Sequence, residues 1–197
     1  RLGTYDQAVA TAQRARSLAA TVADNDLQAW ATCRLGQALY CLGDYARAMD
    51  CFREGIASPP APTQDVGTWL VFPAHARSWL VYCLTACGAF DEGLALGMEA
   101  GRLAEAGAFP TSQCAAYASL AEAFLVRGVF PAAIALLEQG LAICQRWHNL
   151  DWLPEYLASL GLAYAQVGRL AEALPLLEQA VAQEATMGGG HGAIGLM

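Results

Sequence analysis

The chain has 197 residues, 56% of them hydrophobic, and a formal charge of −7. That length suffices for one sizeable domain or a run of repeats sharing a continuous core. All eleven basic residues are scattered arginines, which argues against nucleic-acid binding, and the longest charge-free stretch, residues 106–121, is broken by Pro110, Thr111, Ser112 and Gln113, which argues against a membrane span.

In chain order, residues 4 to about 21 read as a helix, the second half of a hairpin whose first half is missing. Asp24, Asn25 and Asp26 supply capping side chains for a helix from about 27 to 42. Gly43-Asp44 turns the chain. Tyr45, Ala48 and Phe52, at i, i+3 and i+7, then mark a partner helix over 45–57. The prolines of Ser58-Pro59-Pro60-Ala61-Pro62-Thr63 stop it, since they cannot sustain a hydrogen-bonded helix. Residues 69–87 follow, expected to be regular only after Pro73, and then a helix from 90 to about 106. Pro110, Pro131 and Pro154 each fall near a helix start, where a missing N–H costs little. They open helices beginning near 109, spanning 130–147 and ending at 167. Pro175 lies inside the last pattern, 170–187, and is expected to kink it. Gly188-Gly189-Gly190 ends that helix as a linker, and 191–197 read as the beginning of another.

Gly3, Gly43, Gly88, Gly128 and Gly168 are spaced by 40, 45, 40 and 40 residues. Each is followed two residues later by an apolar anchor (Tyr5, Tyr45, Phe90, Phe130, Leu170) and five residues later by a small residue (Ala8, Ala48, Gly93, Ala133, Ala173). Leu35-Gly36, Leu80-Val81, Leu120-Ala121 and Leu160-Gly161 recur in register upstream. A spacing shared by several independent features marks a repeat protein. The expected organisation is a single array: a partial unit 1–24, units near 25–64, 65–108, 109–148 and 149–188, and the start of a further unit at 189–197. A chain that opens mid-unit is expected to be a piece of a longer protein.

Large-then-small residues, Gly at the turn, an aromatic two on and Ala in the second helix resemble the tetratricopeptide repeat, whose usual unit is about 34 residues. The resemblance implies an all-α, right-handed α–α superhelix of helical hairpins, with each helix lengthened here by nearly a turn. HEAT repeats share the length but lack the Gly-aromatic-Ala turn. The second unit departs from the pattern, with Val81 and Gly93 at small-residue positions and Gly97 where an aromatic is expected.

In such a stack the first helix of each unit lines the concave surface. The groove candidates are Trp30, Cys33, Gln37, Tyr40 and Cys41, then His75, Ser78, Tyr82 and Thr85, then Glu122, Glu155 and Gln166. Aromatic and neutral polar groups with a few carboxylates suit a peptide or a small polar ligand and form no basic clamp for a C-terminal carboxylate. The competing reading is a solvated inner face with no ligand of its own. Trp69, Leu70, Val71 and Phe72 either cover a core or contact another domain or subunit.

Seven cysteines without a Cys-x-x-Cys pair read as small buried hydrophobes in a reducing, cytoplasmic compartment. His75, Cys83 and Cys87 do not converge as metal ligands, because i and i+8 on a helix are about 12 Å apart along its axis. No nucleophile–base pair is recognisable, and without Lys no phosphate-binding loop can form. No catalytic residue, cofactor or metal is expected.

The turn Leu42-Gly43-Asp44-Tyr45-Ala46-Arg47-Ala48 and the helix Ala171-Glu172-Ala173-Leu174-Pro175-Leu176-Leu177-Glu178-Gln179-Ala180 look like the C-terminal repeats of large bacterial signalling ATPases. Those are maltose-activator-like regulators of the LuxR type and ATPase-fused class III adenylate/guanylate cyclases. The resemblance implies a non-catalytic interaction and regulatory scaffold whose partner is a protein, a peptide or another domain of the parent chain. Its alternative is an inducer-sensing domain with a small molecule or peptide in the groove around Tyr40, His75 and Tyr82. Apolar residues at the two ends (Val9, Ala12, Leu18; Ile194, Leu196, Met197), without polar capping faces, lead to an expectation of self-association.

Overall fold

The computed structural model describes residues 5–22, 24–57, 66–107 and 109–186, with only the backbone described at 66–73 and 186. The expected turn at Gly3, the proline-rich segment 58–63, the glycine run with the tail beyond it, and the side chains of Trp69, Leu70, Val71 and Phe72 lie outside the described residues. Nine helices and no strands occur among the described residues. They are α1 (Tyr5–Thr21), α2 (Asn25–Cys41), α3 (Tyr45–Ala57), α4 (Val66–Ala86), α5 (Phe90–Gly107), α6 (Pro110–Val126), α7 (Phe130–Trp147), α8 (Leu153–Gln166) and α9 (Leu170–Thr186). The chain forms a right-handed superhelix of antiparallel hairpins, α2–α3, α4–α5, α6–α7 and α8–α9, with α1 packed on α2.

The repeated glycines set the turns. Gly43, Gly88, Gly128 and Gly168 have φ between 73° and 81°, a left-handed conformation that costs other residues roughly 1–2 kcal/mol. The following amide then reaches back five residues: Asp44 to Leu39 O at 3.0 Å, Ala89 to Leu84 O at 2.8 Å, Val129 to Phe124 O and Arg169 to Tyr164 O at 2.9 Å. These bonds satisfy carbonyls that the helix end would leave open. Asp24 caps α2, its Oδ1 accepting from the Asp26 and Leu27 amides at 3.0 Å. At the end of α7 the left-handed position falls to His148, with φ 53°.

One expectation about α4 needs correction. This helix does not begin after Pro73 but runs from Val66 straight through it. Pro73 removes one amide donor, and the helix tolerates that single loss because tertiary context overrides local propensity. Likewise α9 is continuous through Pro175.

Small residues let the helices of a hairpin approach. A Cβ at Gly36 would lie 2.8 Å from Phe52 Cζ, and one at Gly161 2.8 Å from Leu177 Cγ. Between units the closest fit is Gly140, where a Cβ would stand 2.1 Å from Tyr156 Cε1. The Tyr156 hydroxyl passes beyond it and donates to the Cys114 carbonyl at 2.6 Å. One apolar cluster joins α1 to α4 around Phe52, Trp79 and Leu39. A second joins α6 to α9 around Tyr156, Leu137 and Leu160. Between them α4, α5 and α6 meet through a small cluster of Ala74, Ala100, Ala104 and Ala116, with Leu120 of α6 filling the space beside Gly97 of α5.

Candidate ligand groove

The inner surface holds an open groove of about 800 Å³, within the size range of small-molecule and peptide sites. Alanines of α1 and α2 form its apolar wall, α4 contributes His75 and Trp79, and the turn into α8 closes it with Asp151 and Trp152, joined by Glu155 of α8. Small residues leave the space, and the polar groups converge from separate helices.

On one side the polar groups are locked to one another. Arg34 Nη1 donates to Gln37 Oε1 at 2.8 Å, and the guanidinium lies 5.6 Å from the Trp30 ring centroid. With its oxygen so engaged, Gln37 turns its amide nitrogen to His75 Nε2 at 3.0 Å. Trp79 Nε1 donates to the same His75 nitrogen at 3.1 Å. A ring nitrogen that accepts from two N–H groups carries no proton, so the imidazole is neutral with its proton on Nδ1. Burial, reinforced by Arg34, lowers the His75 pKa to about 4.

The floor is aromatic. Trp79 is the hub, with ring centroids 5.6 Å from Tyr40, 5.7 Å from Tyr82 and 6.2 Å from Phe52. On the far side Tyr82 reaches across the superhelix and donates to Glu155 Oε1 at 2.8 Å. Burial, with the neighbouring Glu122 charge adding to it, raises the Glu155 pKa to about 7, against the opposing pull of the Tyr82 bond. Burial raises Glu122 as well. A second hollow, of about 370 Å³, lies between α7, α8 and α9 beside Leu160 and Tyr164. It carries none of this convergent polar set.

The residues expected in the groove divide into three groups. Gln37, His75 and Glu155, with Cys41, line it. Tyr40 and Tyr82 pack against the Trp79 ring, each within reach of the Glu122 charge, and Trp30 supports Arg34. Cys33, Ser78 and Thr85 are buried, so they offer the groove no polar surface. Cys33 packs in the apolar cluster, and the Ser78 hydroxyl turns back to Ala74 O at 2.8 Å. An inner helix is flanked by neighbours on both sides and backed by its own partner, so only a narrow stripe of it stays open. Gln166, at the last residue of α8, is exposed and away from the groove.

Sequence reasoning missed Trp79, Arg34, Asp151 and Trp152. Trp79 was recoverable, since His75, Trp79 and Tyr82 share one face at i, i+4 and i+7. The wall from α1 also departs from expectation: Tyr5, Ala8, Thr11 and Ala15 line the groove, although the repeat register assigns that helix to the outer layer. Outside the groove, Glu92 and Glu99 pair with Arg53 and Arg77 at 3.3 and 3.0 Å.

The tetratricopeptide repeat model matches residues 1–59 and 111–183. No curated protein matches the sequence. Among solved structures, the chain is similar to the nearly identical repeats of a putative kinesin light chain from Podosopora anserina, at 21% identity, TM-score 0.61, and 95% and 90% coverage of the two chains. It is similar to Bacillus thuringiensis PlcR, solved in complex with the peptide PapR7 and DNA, at 11% identity and TM-score 0.81, covering 95% of this chain and 66% of that one. It is also similar to aspartyl phosphate phosphatase F from Bacillus subtilis, at 14% identity and TM-score 0.74, covering 94% and 49%. The chain thus spans about two thirds and one half of those two proteins, and identities this low speak for the fold alone.

Proposed function

The chain belongs to the tetratricopeptide repeat family, a family of interaction scaffolds, and on that premise we propose that it captures a peptide or protein segment in its inner groove, without catalysis. The observation that carries this reading is the groove of about 800 Å³, where α1, α2, α4 and α8 converge. Its polar groups hold one another in a chain: Arg34 by Gln37, Gln37 by His75, His75 by Trp79. Such preorganisation lowers the ordering cost of binding. PlcR, a structural relative solved with a peptide, supports the same reading. A regulatory setting, in which occupancy of the array controls an output domain of a bacterial signalling protein, follows from the likeness to LuxR-type regulators and ATPase-fused cyclases. A cytoplasmic location belongs with it.

The test is selection of random displayed peptides against the purified chain, followed by titration of the winners against Ala8→Trp. Ala8 is exposed on α1 and lines the groove, so the indole fills the space while the core stays intact. Peptides that bind the native chain should lose at least about tenfold in affinity, roughly 1.4 kcal/mol. Unchanged affinity places binding elsewhere and sinks the proposal.

A further inference from the structure

We infer that the groove is a site for a protonated amine: an ammonium or guanidinium group of the ligand seats against the Glu155 carboxylate, beside the indoles of Trp79 and Trp152. This rests on the reading of the groove as the ligand site. Glu155 uses Oε1 to accept from Tyr82, while a carboxylate has about four lone-pair positions to satisfy. Among the described residues no other donor reaches it, and the residue lines the groove. A half-buried carboxylate with open acceptor positions on a groove wall suits a counter-charge supplied by a ligand. Asp151, in the turn that leads into α8, lines the same groove, and Glu122 approaches from α6.

The cations already present do not fill this role. Arg34 belongs to the opposite wall, engaged by Gln37 and Trp30. His75 is neutral, its Nε2 accepting two N–H groups. The α8 wall is therefore acidic, and the indoles beside it favour cations through their ring quadrupoles. A Lys or Arg side chain of a peptide and a small free amine share this chemistry.

The test titrates the full chain with acetyl-Ala-Arg-Ala-amide, its uncharged citrulline counterpart and free agmatine, read by tryptophan fluorescence. The Arg peptide should bind at least about tenfold tighter than the citrulline peptide. That ratio should vanish in Glu155→Gln, which retains an acceptor for Tyr82, and fall about two- to threefold in Asp151→Asn, an exposed change that leaves the fold alone. Agmatine matching the Arg peptide identifies a small amine as the ligand; preference for the peptide identifies a protein segment. A ratio near one with binding still blocked by Ala8→Trp removes the amine assignment and keeps the groove. Binding of none of the probes, or a tenfold ratio that survives both variants, also overturns the assignment, and the displayed-peptide selection then decides the groove by itself.

Discussion

The second hairpin and its neighbours solve one packing problem in opposite ways. At equivalent positions the first, third and fourth hairpins place a small residue on the inner helix and a large one on the outer helix: Gly36 with Phe52, Ala121 with Leu137, Gly161 with Leu177. The second hairpin inverts the pair, with Val81 inside and Gly97 outside. At Gly97 the space is taken by Leu120 from the next unit, whose Cδ1 would lie 2.8 Å from an added Cβ. The inverted unit therefore keys forward into its successor as well as closing on its own partner helix. Its inner helix carries Trp79, Tyr82 and His75, the side chains that build the groove floor. Departure from the repeat consensus and the candidate site fall on the same unit.

The sharpest way to break the comparison is at Gly140. Position for position, the seam between the second and third hairpins holds Ala100 against Ala116, and the next seam holds Gly140 against Tyr156. Gly140→Ala should cost about 2–4 kcal/mol, because the buried Tyr156 ring has nowhere to go. Tyr156→Ala alone should cost about 3–5 kcal/mol by opening a cavity. The double variant restores the alanine pair of the preceding seam and should be hardly less stable than Tyr156→Ala. Urea unfolding of the four proteins gives the coupling, and additive losses would show that the two seams do not share one plan.

Gly36 and Gly97 sharpen the contrast within hairpins. A methyl group at Gly36 meets the rigid, buried Phe52 ring and Cys51 Cβ at 3.2 Å, and should cost about 1–3 kcal/mol. At Gly97 it meets the tip of a Leu side chain that can turn aside, so the helix-propensity gain of about 1 kcal/mol, common to both sites, offsets more of the clash there. Thermal melts of the two variants should differ by several degrees, with Gly36→Ala the lower. Equal melting temperatures would mean that the inversion carries no energetic consequence.

A further contrast concerns pH, where the two sides of the groove pull in opposite directions and largely cancel in the native chain. Glu155 has its pKa raised above the unfolded value, to about 7, so the folded chain binds that proton more tightly. Its contribution favours folding at low pH and is lost as pH rises from about 4.5 to 7. The His75 pKa is lowered to about 4, so its contribution is lost as pH falls from about 6.5 towards 4. The two slopes oppose each other in the native chain. Glu155→Gln should uncover the histidine slope, with stability rising from about pH 4.5 to 6.5, and should stabilise the fold most above pH 7. A variant whose stability profile parallels that of the native chain would contradict this account of both groups.

Much of this fold was legible because glycine leaves a backbone signature. Four turns need a left-handed residue, four glycines supply it at near-constant spacing, and the helices follow. Two of them, α3 and α7, coincide with their expected bounds. The start of α4 was not legible, because a proline within a helix reads locally as a boundary and only tertiary contacts show that the helix survives it. The groove was legible in part. Gln37, His75 and Glu155 follow from the rule that first helices face inward, but that rule cannot separate an open stripe from a packed one on helices rich in Ala, Ser and Cys. Hence Cys33, Ser78 and Thr85 were included and proved buried. Arg34 and the α1 wall depend on how tightly the array curves, which no single-unit pattern encodes.

The most direct test of the inner groove as the binding surface is hydrogen–deuterium exchange of the chain with and without a peptide taken from the displayed library. The account predicts added protection in α1 and α2 and around Asp151–Glu155 at the entry to α8, on walls far apart in sequence, with α5 and α7 unchanged. Protection confined to α5 and α7 would place the partner on the outer surface and contradict it.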